Sequence, residues 1–200
     1  MSVDFLLEQY DGLSIVIPAL NEPYLPILEN KLEGFFYKIP HEIIIRDDKG
    51  CGNAILAGIR KSYYHNILVM DGDGSHSPLS AWCMYQIYRE NNYDIIHGYK
   101  KHSGDSWFRK TITFVFDFLA RLLIKDCPDL MSGMFIFNRT AIKPLPEKIS
   151  HPKVLMYIIK KNPDINNKIY GIYFMKRVGG KSKLGKPRIA FEILKGMIWG

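Results

Sequence analysis

The chain has 200 residues, 47% of them hydrophobic and 24% charged, which is the composition of one globular domain with a substantial core. Its formal net charge of +7 fits an anionic partner, whether nucleotide phosphate, lipid phosphate, a membrane surface or nucleic acid, and equally an ordinary basic surface. Three widely spaced cysteines without a C-x-x-C pair argue against a zinc site and for a reducing compartment. Residues 1–10 lack the pattern of a signal peptide, and no apolar run reaches the ~18–20 residues of a membrane span. We therefore expect a soluble or peripheral protein.

Strands and helices alternate through the first half of the chain. Short apolar runs predict strands at 13–17, 42–46, 66–70 and 94–97, the first two of them buried. Helical patterns follow the first three strands, at about 23–37, 53–62 and 77–90. The third helix begins at Ser77-Pro78, where the serine hydroxyl would cap the helix and proline suits its first position. This order of βαβ units predicts an α/β fold, a mostly parallel sheet flanked by helices.

The second half of the chain is less regular. We expect helices at 107–125 and 151–161, strands at 132–138 and 168–175, a basic glycine-rich loop at 176–188, and a C-terminal amphipathic helix at 189–199. The segments 112–124 and 189–199 carry wide apolar faces. Such faces suit core packing or, with Trp199 and flanking basic residues as anchors, contact with a membrane surface.

Polar or acidic turns follow three of the predicted strands. They lie at 18–22, 47–48 and 71–73. Because ligands in open α/β sheets bind at the carboxyl ends of the strands, we expect all three turns to line one crevice.

The acidic turn Asp71-Gly72-Asp73 directly follows the apolar strand at 66–70. Two carboxylates at this spacing can reach one hard cation, Mg²⁺ or Mn²⁺, with diphosphate oxygens completing its coordination. Ser75 and His76 are near enough to add a ligand or a hydrogen bond. Such a cation would act as a Lewis acid towards a departing nucleotide diphosphate. The alternative is a plain acidic turn, since Asp-Gly is common turn sequence.

The loop at 176–188 combines basic residues with glycines. Its six basic residues are Lys176, Arg177, Lys181, Lys183, Lys186 and Arg188. Glycines let backbone N–H groups approach phosphate and arginine binds it bidentately, so the loop suits lipid or nucleotide phosphate. A flexible surface loop and a nucleic-acid patch are the alternatives, and the scarcity of aromatic residues within the loop argues against nucleic acid.

Five segments together resemble a known enzyme family. IVIPALNE (15–22), IIIRDD (43–48) and VMDGDGSHSP (69–78) resemble family 2 glycosyltransferases of GT-A fold, which is Rossmann-like. DLMSGMFIF (129–137) resembles the D-x-x-S-G-F-R segment of polyprenyl-phosphate glycosyltransferases, and RVGGKSKLG (177–185) their R-x-x-G-x-S-K-L loop. Among these the dolichol-phosphate mannose synthases are the most similar, and the resemblance spans about 13–185.

The resemblance implies roles for individual residues. Those implied to line the nucleotide pocket, or to contact the base or ribose, are Pro18, Asn21, Glu22 and Asp48. Those implied to hold the metal and the diphosphate are Asp71, Asp73 and Ser75. Those implied to contact the sugar, the acceptor or its phosphate are Ser132, Gly133, Arg177, Ser182 and Lys183.

Two departures from the family pattern bear on these roles. The family usually places a helix and a short strand between its D-D-G-S segment and the next helix, whereas here Asp48 runs almost directly into the helical segment at 52–58. This shortening leaves the donor base open. Phe135 stands where the family often has arginine, which removes one possible phosphate or sugar contact.

We therefore expect one GT-A domain over 1–200, with a nucleotide-sugar half at about 1–98 and an acceptor half at about 99–200. The expected reaction is inverting, metal-dependent transfer of a hexose from GDP-mannose or a UDP-sugar to polyprenyl phosphate. The expected location is cytoplasmic, peripherally associated with the membrane surface, and no nucleic-acid partner is expected. Transfer to a saccharide or protein hydroxyl is one alternative, and a non-catalytic nucleotide-sugar-binding accessory subunit is another.

Overall fold

The computed structural model describes residues 12–19, 21–100, 132–149, 154–172 and 175. The strands within these residues are β1 (Leu13–Pro18), β2 (His41–Arg46), β3 (Asn66–Val69), β4 (Ile95–Lys100), β5 (Phe135–Asn138) and β6 (Asn167–Ile172). Its helices in the described residues are α1 (Leu25–Phe36), α2 (Cys51–Lys61), α3 (Pro78–Glu90) and α4 (Val154–Lys161). The predicted helices at 107–125 and 189–199 and the basic loop at 176–188 lie outside the described residues.

The described strands form a single sheet in the order β2-β1-β3-β5-β4-β6. The pairs β1–β2, β1–β3 and β4–β6 are parallel, and β5 runs antiparallel to both of its neighbours. The predicted mostly parallel α/β sheet is therefore confirmed. Since β1 lies between β2 and β3, the carboxyl ends of all three strands reach the same edge of the sheet.

Hydrophobic residues pack on both faces of the sheet. The side chains of alternate residues of β1 pack on opposite faces, Ile15 and Ile17 on one and Val16 on the other. Side chains that join Val16 come from α2 and α4 and include Ile55, Leu56, Ile59 and Leu155. Side chains on the opposite face come from α1 and α3 and include Leu28, Leu32, Phe36 and Met84. The helices thereby fix both sides of the central strand that leads to the candidate site.

Two local expectations are wrong. The strand at 42–46 was expected to be buried, but β2 lies at the sheet edge among the described residues, half-buried, with Ile45 37% exposed. The Ser77 hydroxyl makes no capping hydrogen bond, although α3 does begin at Pro78 as predicted. The proline ring supplies helical φ at that position without any help from the hydroxyl.

Several element ends differ from the prediction by a few residues, most clearly in β4 and β5. β4 continues to Lys100, three residues beyond the expected end, and β5 begins only at Phe135. The residues before Phe135 are instead held in a turn by Ser132. Within the described residues, no helix combines the length and apolar character needed to cross a membrane.

Candidate active site

Backbone hydrogen bonds bring the three strand ends together. The Ala19 N–H donates to the Arg46 carbonyl at 2.9 Å, and the Met70 N–H donates to the Val16 carbonyl at 3.1 Å. An added Cβ at Gly72 would lie 3.0 Å from the Ala19 Cβ, so the turn after β3 packs directly on the segment after β1. The expected juxtaposition of these polar turns at one sheet edge is therefore present.

Local hydrogen bonds fix the acidic turn that follows β3. Asp73, only 8% exposed, accepts a hydrogen bond on Oδ1 from the Ser75 N–H at 2.9 Å. The half-buried Asp71 donates its N–H to Nδ1 of buried His76 at 3.0 Å. Because Nδ1 accepts this bond, a neutral His76 ring carries its proton on Nε2. The turn thus presents two carboxylates on a backbone that its own side chains hold in place.

The Ser75 hydroxyl lies inside this turn. Ser75 is 3% exposed, and its Oγ makes no hydrogen bond to any described residue. A buried hydroxyl without a partner costs about 1–3 kcal/mol, which a ligand oxygen or a cation would recover. In the described part of the chain no three His, Cys, Asp or Glu side chains form a metal-binding group. A cation here would therefore rely on Asp71, Asp73 and Ser75, with its remaining ligands from a bound molecule.

The segment before β5 approaches the acidic turn from a distant part of the chain. An added Cβ at Gly133 would lie 2.6 Å from Asp71 Oδ2 and 3.1 Å from His76 Cε1. The Ser132 hydroxyl donates to the Met134 carbonyl at 3.1 Å and accepts from the Met134 N–H at 3.2 Å. Ser132 is 5% exposed. This compact turn places the backbone of Gly133 against the Asp71 carboxylate, which a side chain at position 133 would displace.

The segment after β1 carries the predicted nucleotide-pocket residues. Pro18 ends β1 and is half-buried, Asn21 is exposed, and Glu22 is half-buried. Asn21 adopts φ 53°, the left-handed region in which asparagine is enriched among residues with a side chain. This conformation turns the chain from β1 towards α1, so that Asn21 and Glu22 follow β1 directly at the carboxyl edge.

Asp48 is bound by Arg46 two residues before it. Arg46 Nε donates to Asp48 Oδ2 at 2.7 Å and Nη2 donates to Oδ1 at 2.8 Å. This bidentate hydrogen bonding lowers the pKa of the Asp48 carboxyl and raises that of the Arg46 guanidinium. Sequence reasoning missed this pair, although Arg-x-Asp at a strand end was a visible signal. A ligand at Asp48 would meet an ionised carboxylate whose two oxygens already accept one bond each.

Met175, the residue before the predicted basic loop, contacts the acidic turn. The Met175 N–H donates to the Ser75 carbonyl at 3.0 Å, a contact that the sequence pattern did not predict. Lys176 follows directly in the sequence. Arg177, Ser182 and Lys183 lie outside the described residues.

The chain is similar in sequence to a dolichol-phosphate mannosyltransferase from Pyrococcus furiosus. The two are 25% identical over 219 residues, covering 92% of this chain and 62% of that protein. The chain thus spans less than two thirds of the length of this relative. No protein-family model matches the chain.

Solved structures with the same fold include two phosphoglycerate glycosyltransferases. Mannosyl-3-phosphoglycerate synthase from Rubrobacter xylanophilus superposes with a TM-score of 0.70 at 12% identity, covering 94% of this chain and 72% of that one. Glucosyl-3-phosphoglycerate synthase from Mycobacterium tuberculosis was crystallised with Mn²⁺, UDP-glucose and phosphoglyceric acid. It superposes with a TM-score of 0.67 at 13% identity, covering 98% of this chain and 84% of that one. These similarities establish the GT-A fold for this chain.

Proposed function

We propose that this chain, which has the GT-A fold, is an inverting, metal-dependent glycosyltransferase that uses a nucleotide diphosphate sugar. The observation that carries the proposal is the acidic turn at the carboxyl edge of the sheet. This turn carries two carboxylates and a buried hydroxyl without a hydrogen bond to the described residues, and its Asp71 carboxylate lies against the backbone of Gly133. Ligands of open α/β sheets bind at this edge.

Oxygen ligands in the acidic turn suit Mg²⁺ or Mn²⁺. Asp71, Asp73 and the Ser75 hydroxyl form a small set of hard donors, which leaves room for diphosphate oxygens. The bound cation would offset the negative charge that builds up on the departing diphosphate. Support comes from the Mn²⁺ and UDP-glucose in the M. tuberculosis synthase structure named above.

The donor nucleotide is assigned to residues of the first half, about 1–98. Pro18 ends β1, Asn21 and Glu22 come after it, and Asp48 comes after the adjacent β2, so all four belong to the sheet edge at which the diphosphate would bind. GDP-mannose is favoured by the sequence relative, and UDP-glucose by the solved structures.

A polyprenyl phosphate is the acceptor that we favour, bound by the second half at about 99–200. The P. furiosus relative supports this acceptor, and the Met175–Ser75 bond holds the residue that precedes Lys176 at the acidic turn. A phosphate monoester has its second pKa near ~6, so it is already a dianion at neutral pH and needs no general base.

One phosphate oxygen attacks the anomeric carbon from the face opposite the leaving group. A new carbon–oxygen bond forms as the bond to the diphosphate breaks, and the nucleoside diphosphate leaves with that electron pair.

In this scheme the basic residues position the acceptor. Arg177, Ser182 and Lys183 would bind the acceptor phosphate, and Ser132 and Gly133 would border the sugar. A peripheral position at the cytoplasmic membrane surface follows from a lipid acceptor.

A hydroxyl-bearing phosphorylated acceptor is the second candidate. It is favoured by the two phosphoglycerate synthases, one of which was crystallised with phosphoglyceric acid. A hydroxyl must lose a proton during attack and therefore requires a base, which a phosphate dianion does not.

The proposal is tested by measuring sugar transfer with purified full-length protein. GDP-mannose and UDP-glucose are each supplied with Mn²⁺ and either dolichyl phosphate or 3-phosphoglycerate. We expect transfer to dolichyl phosphate, and the substitution Lys183→Ala should raise the KM for that acceptor. Product formed only with 3-phosphoglycerate would select the second candidate. Neither transfer nor hydrolysis of any donor would indicate a non-catalytic binding subunit and contradict the proposal.

The Asp73→Asn variant tests the metal role within the same assay. Asparagine keeps an Oδ1 acceptor for the Ser75 N–H but removes the negative charge, so the turn should survive. We expect the transfer rate to fall at least about 100-fold, because charge stabilisation by a metal is worth several kcal/mol. Asp164→Asn, at an exposed carboxylate in a distant turn, is the matched control and should be as active as the wild type. Full activity in Asp73→Asn would contradict the metal assignment.

A further inference from the structure

The open edge of β2 is the feature that the proposed function leaves unused. In the described part of the chain β2 pairs only with β1 and occupies one end of the sheet. Only residues 47–50 separate β2 from α2, so the chain forms no further strand between these two elements. An edge strand presents backbone N–H and C=O groups to any other strand that can pair with them.

The register with β1 identifies the outward-facing backbone groups. In the ladder, the Leu13 N–H donates to the Pro40 carbonyl and the Ala19 N–H to the Arg46 carbonyl. In a parallel ladder this alternation directs the even-numbered residues of β2 towards β1 and the odd-numbered ones away from it. The outward N–H and C=O groups are therefore those of His41, Ile43 and Ile45.

The side chains of β2 are complementary to a second copy of the same strand. If two copies pair antiparallel about Ile44, each Ile43 lies opposite Ile45 of the other copy, and each Glu42 lies opposite Arg46. Residues 43 and 45 both carry outward backbone groups, so each such pair exchanges both of its hydrogen bonds. Opposite charges directly across an antiparallel pair are stabilising. The charges of β2 are therefore complementary to those of a second, antiparallel copy of the strand.

Arg46 and Glu42 keep atoms available for this pairing. Arg46 uses Nε and Nη2 for Asp48, and its Nη1 makes no hydrogen bond to the described residues. Glu42 Oε1 accepts from the Ser14 hydroxyl and from the Tyr63 N–H, whereas its Oε2 makes no hydrogen bond to the described residues. Ile45 is 37% exposed, so pairing would also remove apolar surface from water.

We propose that two copies of this chain associate through antiparallel pairing of their β2 strands about Ile44, which joins the two sheets into one. The two-fold axis makes the contact isologous, so that the pairing closes at a dimer. One strand pair is a small contact area, so the dimer should be weak and concentration-dependent. The proposal does not depend on the enzymatic activity.

Mass measurement and hydrogen exchange together test this pairing. Analytical ultracentrifugation of the full chain, from low-micromolar to near-millimolar concentration, should show a mass rising from 23.1 kDa towards twice that value. Over the same series, exchange at the Ile43 and Ile45 amides should slow by about tenfold or more, because exchange would then require strand separation.

A matched pair of variants locates the contact. Ile45→Lys places a charge opposite an apolar residue on the pairing edge and should leave a monomer at every concentration. Ile27→Lys makes the same change at a 51% exposed isoleucine on α1 and should dimerise like the wild type.

Three results would overturn the proposal. The first is a constant mass of 23.1 kDa at all concentrations. The second is protection of the Ile43 and Ile45 amides that is already complete in dilute monomer, which would mean that another segment of the chain covers the edge. The third is a dimer in which these amides still exchange freely, which would place the contact on another surface. All three readouts use the wild-type protein, so they hold even if Ile45→Lys fails to fold.

Discussion

A side chain at position 133 would collide with the Asp71 carboxylate. For Gly133→Ala, the added Cβ would lie 2.6 Å from Asp71 Oδ2, so the carboxylate must move. We expect sugar transfer to fall roughly 100-fold, since a displacement of about 1 Å at a reacting site has that effect. The transfer rate, compared at equal folded fraction, measures this.

Gly34→Ala is the matched control for this substitution. Nothing lies within 4 Å of an added Cβ at Gly34, which is exposed in helix α1. This variant should keep wild-type transfer and gain about 0.5–1 kcal/mol of stability, because alanine favours a helix interior over glycine. Wild-type transfer by Gly133→Ala would show that the position of the Asp71 carboxylate does not matter.

The Arg46–Asp48 pair predicts that the pKa of Asp48 depends on Arg46. The Arg46 guanidinium holds the pKa of Asp48 below its ordinary value of 3.8. Since the folded-state pKa is lowered, the stabilisation is present above that ordinary value and is lost as the pH falls through the folded pKa. We expect Arg46→Met to return the pKa of Asp48 towards 3.8, as followed by NMR of the carboxyl carbon between about pH 2 and pH 6.

Arg60→Met serves as the control for this titration. Arg60 is exposed on α2 and donates to the Glu147 carbonyl, so its loss should leave the Asp48 titration unchanged. An Asp48 pKa that is the same in Arg46→Met and the wild type would contradict the role of the guanidinium.

At the scale of elements, Phe36 joins helices α1 and α3. Its ring is fully buried and meets Trp82 and Tyr85 edge-on, with centroid distances of 5.3 and 5.6 Å. Phe36→Ala should lower the free energy of unfolding by about 3–5 kcal/mol, measured by urea denaturation. Tyr37→Ala, at a 71% exposed neighbour, should cost less than about 1 kcal/mol. Equal losses in the two variants would mean that this aromatic contact does not hold the helices together.

The local sequence pattern predicted which segments form strands and helices, but it did not predict which strand lies at the edge of the sheet. The apolar run of β1 predicted a buried strand, and β1 is buried. The three isoleucines of β2 form an equally apolar run, yet the strand is half-buried. Burial of a strand depends on what lies beyond it, and here the short link of residues 47–50 takes the chain directly into α2. Hydrophobic periodicity carries no information about that neighbour.

The direction of a strand within the sheet could not be predicted from the sequence either. The sequence predicted a strand near 132–138, and β5 lies there, but it runs antiparallel between β3 and β4. The hydrophobic pattern of a strand is the same whether the strand runs parallel or antiparallel to its neighbours. Its direction depends on the path that the preceding segment takes. Similarly, Ser77-Pro78 marked the start of α3 correctly, but the rotamer of Ser77 could not be derived from the sequence.

For the whole molecule, the meeting of the polar turns was predictable because parallel strands end at one edge of a sheet. The acidic turn and the residues after β1 were located on that basis. The resemblance implied that Gly133 lies beside the sugar and acceptor but did not predict its approach to Asp71, and the Met175–Ser75 bond was not predicted either. Both contacts join segments far apart in the chain, which local pattern cannot position. The roles of Arg177, Ser182 and Lys183 stay predictions.

Calorimetric titration of nucleotide sugar into the protein, with and without Mn²⁺, tests the central claim most directly. We predict that GDP-mannose or UDP-glucose binds to the wild type in a manganese-dependent way. Asp71→Asn and Asp73→Asn should each weaken binding at least about tenfold, since both carboxylates would hold the cation. Asp164→Asn should bind like the wild type. Donor affinity that is the same with and without Mn²⁺, and unchanged in both variants, would contradict the account.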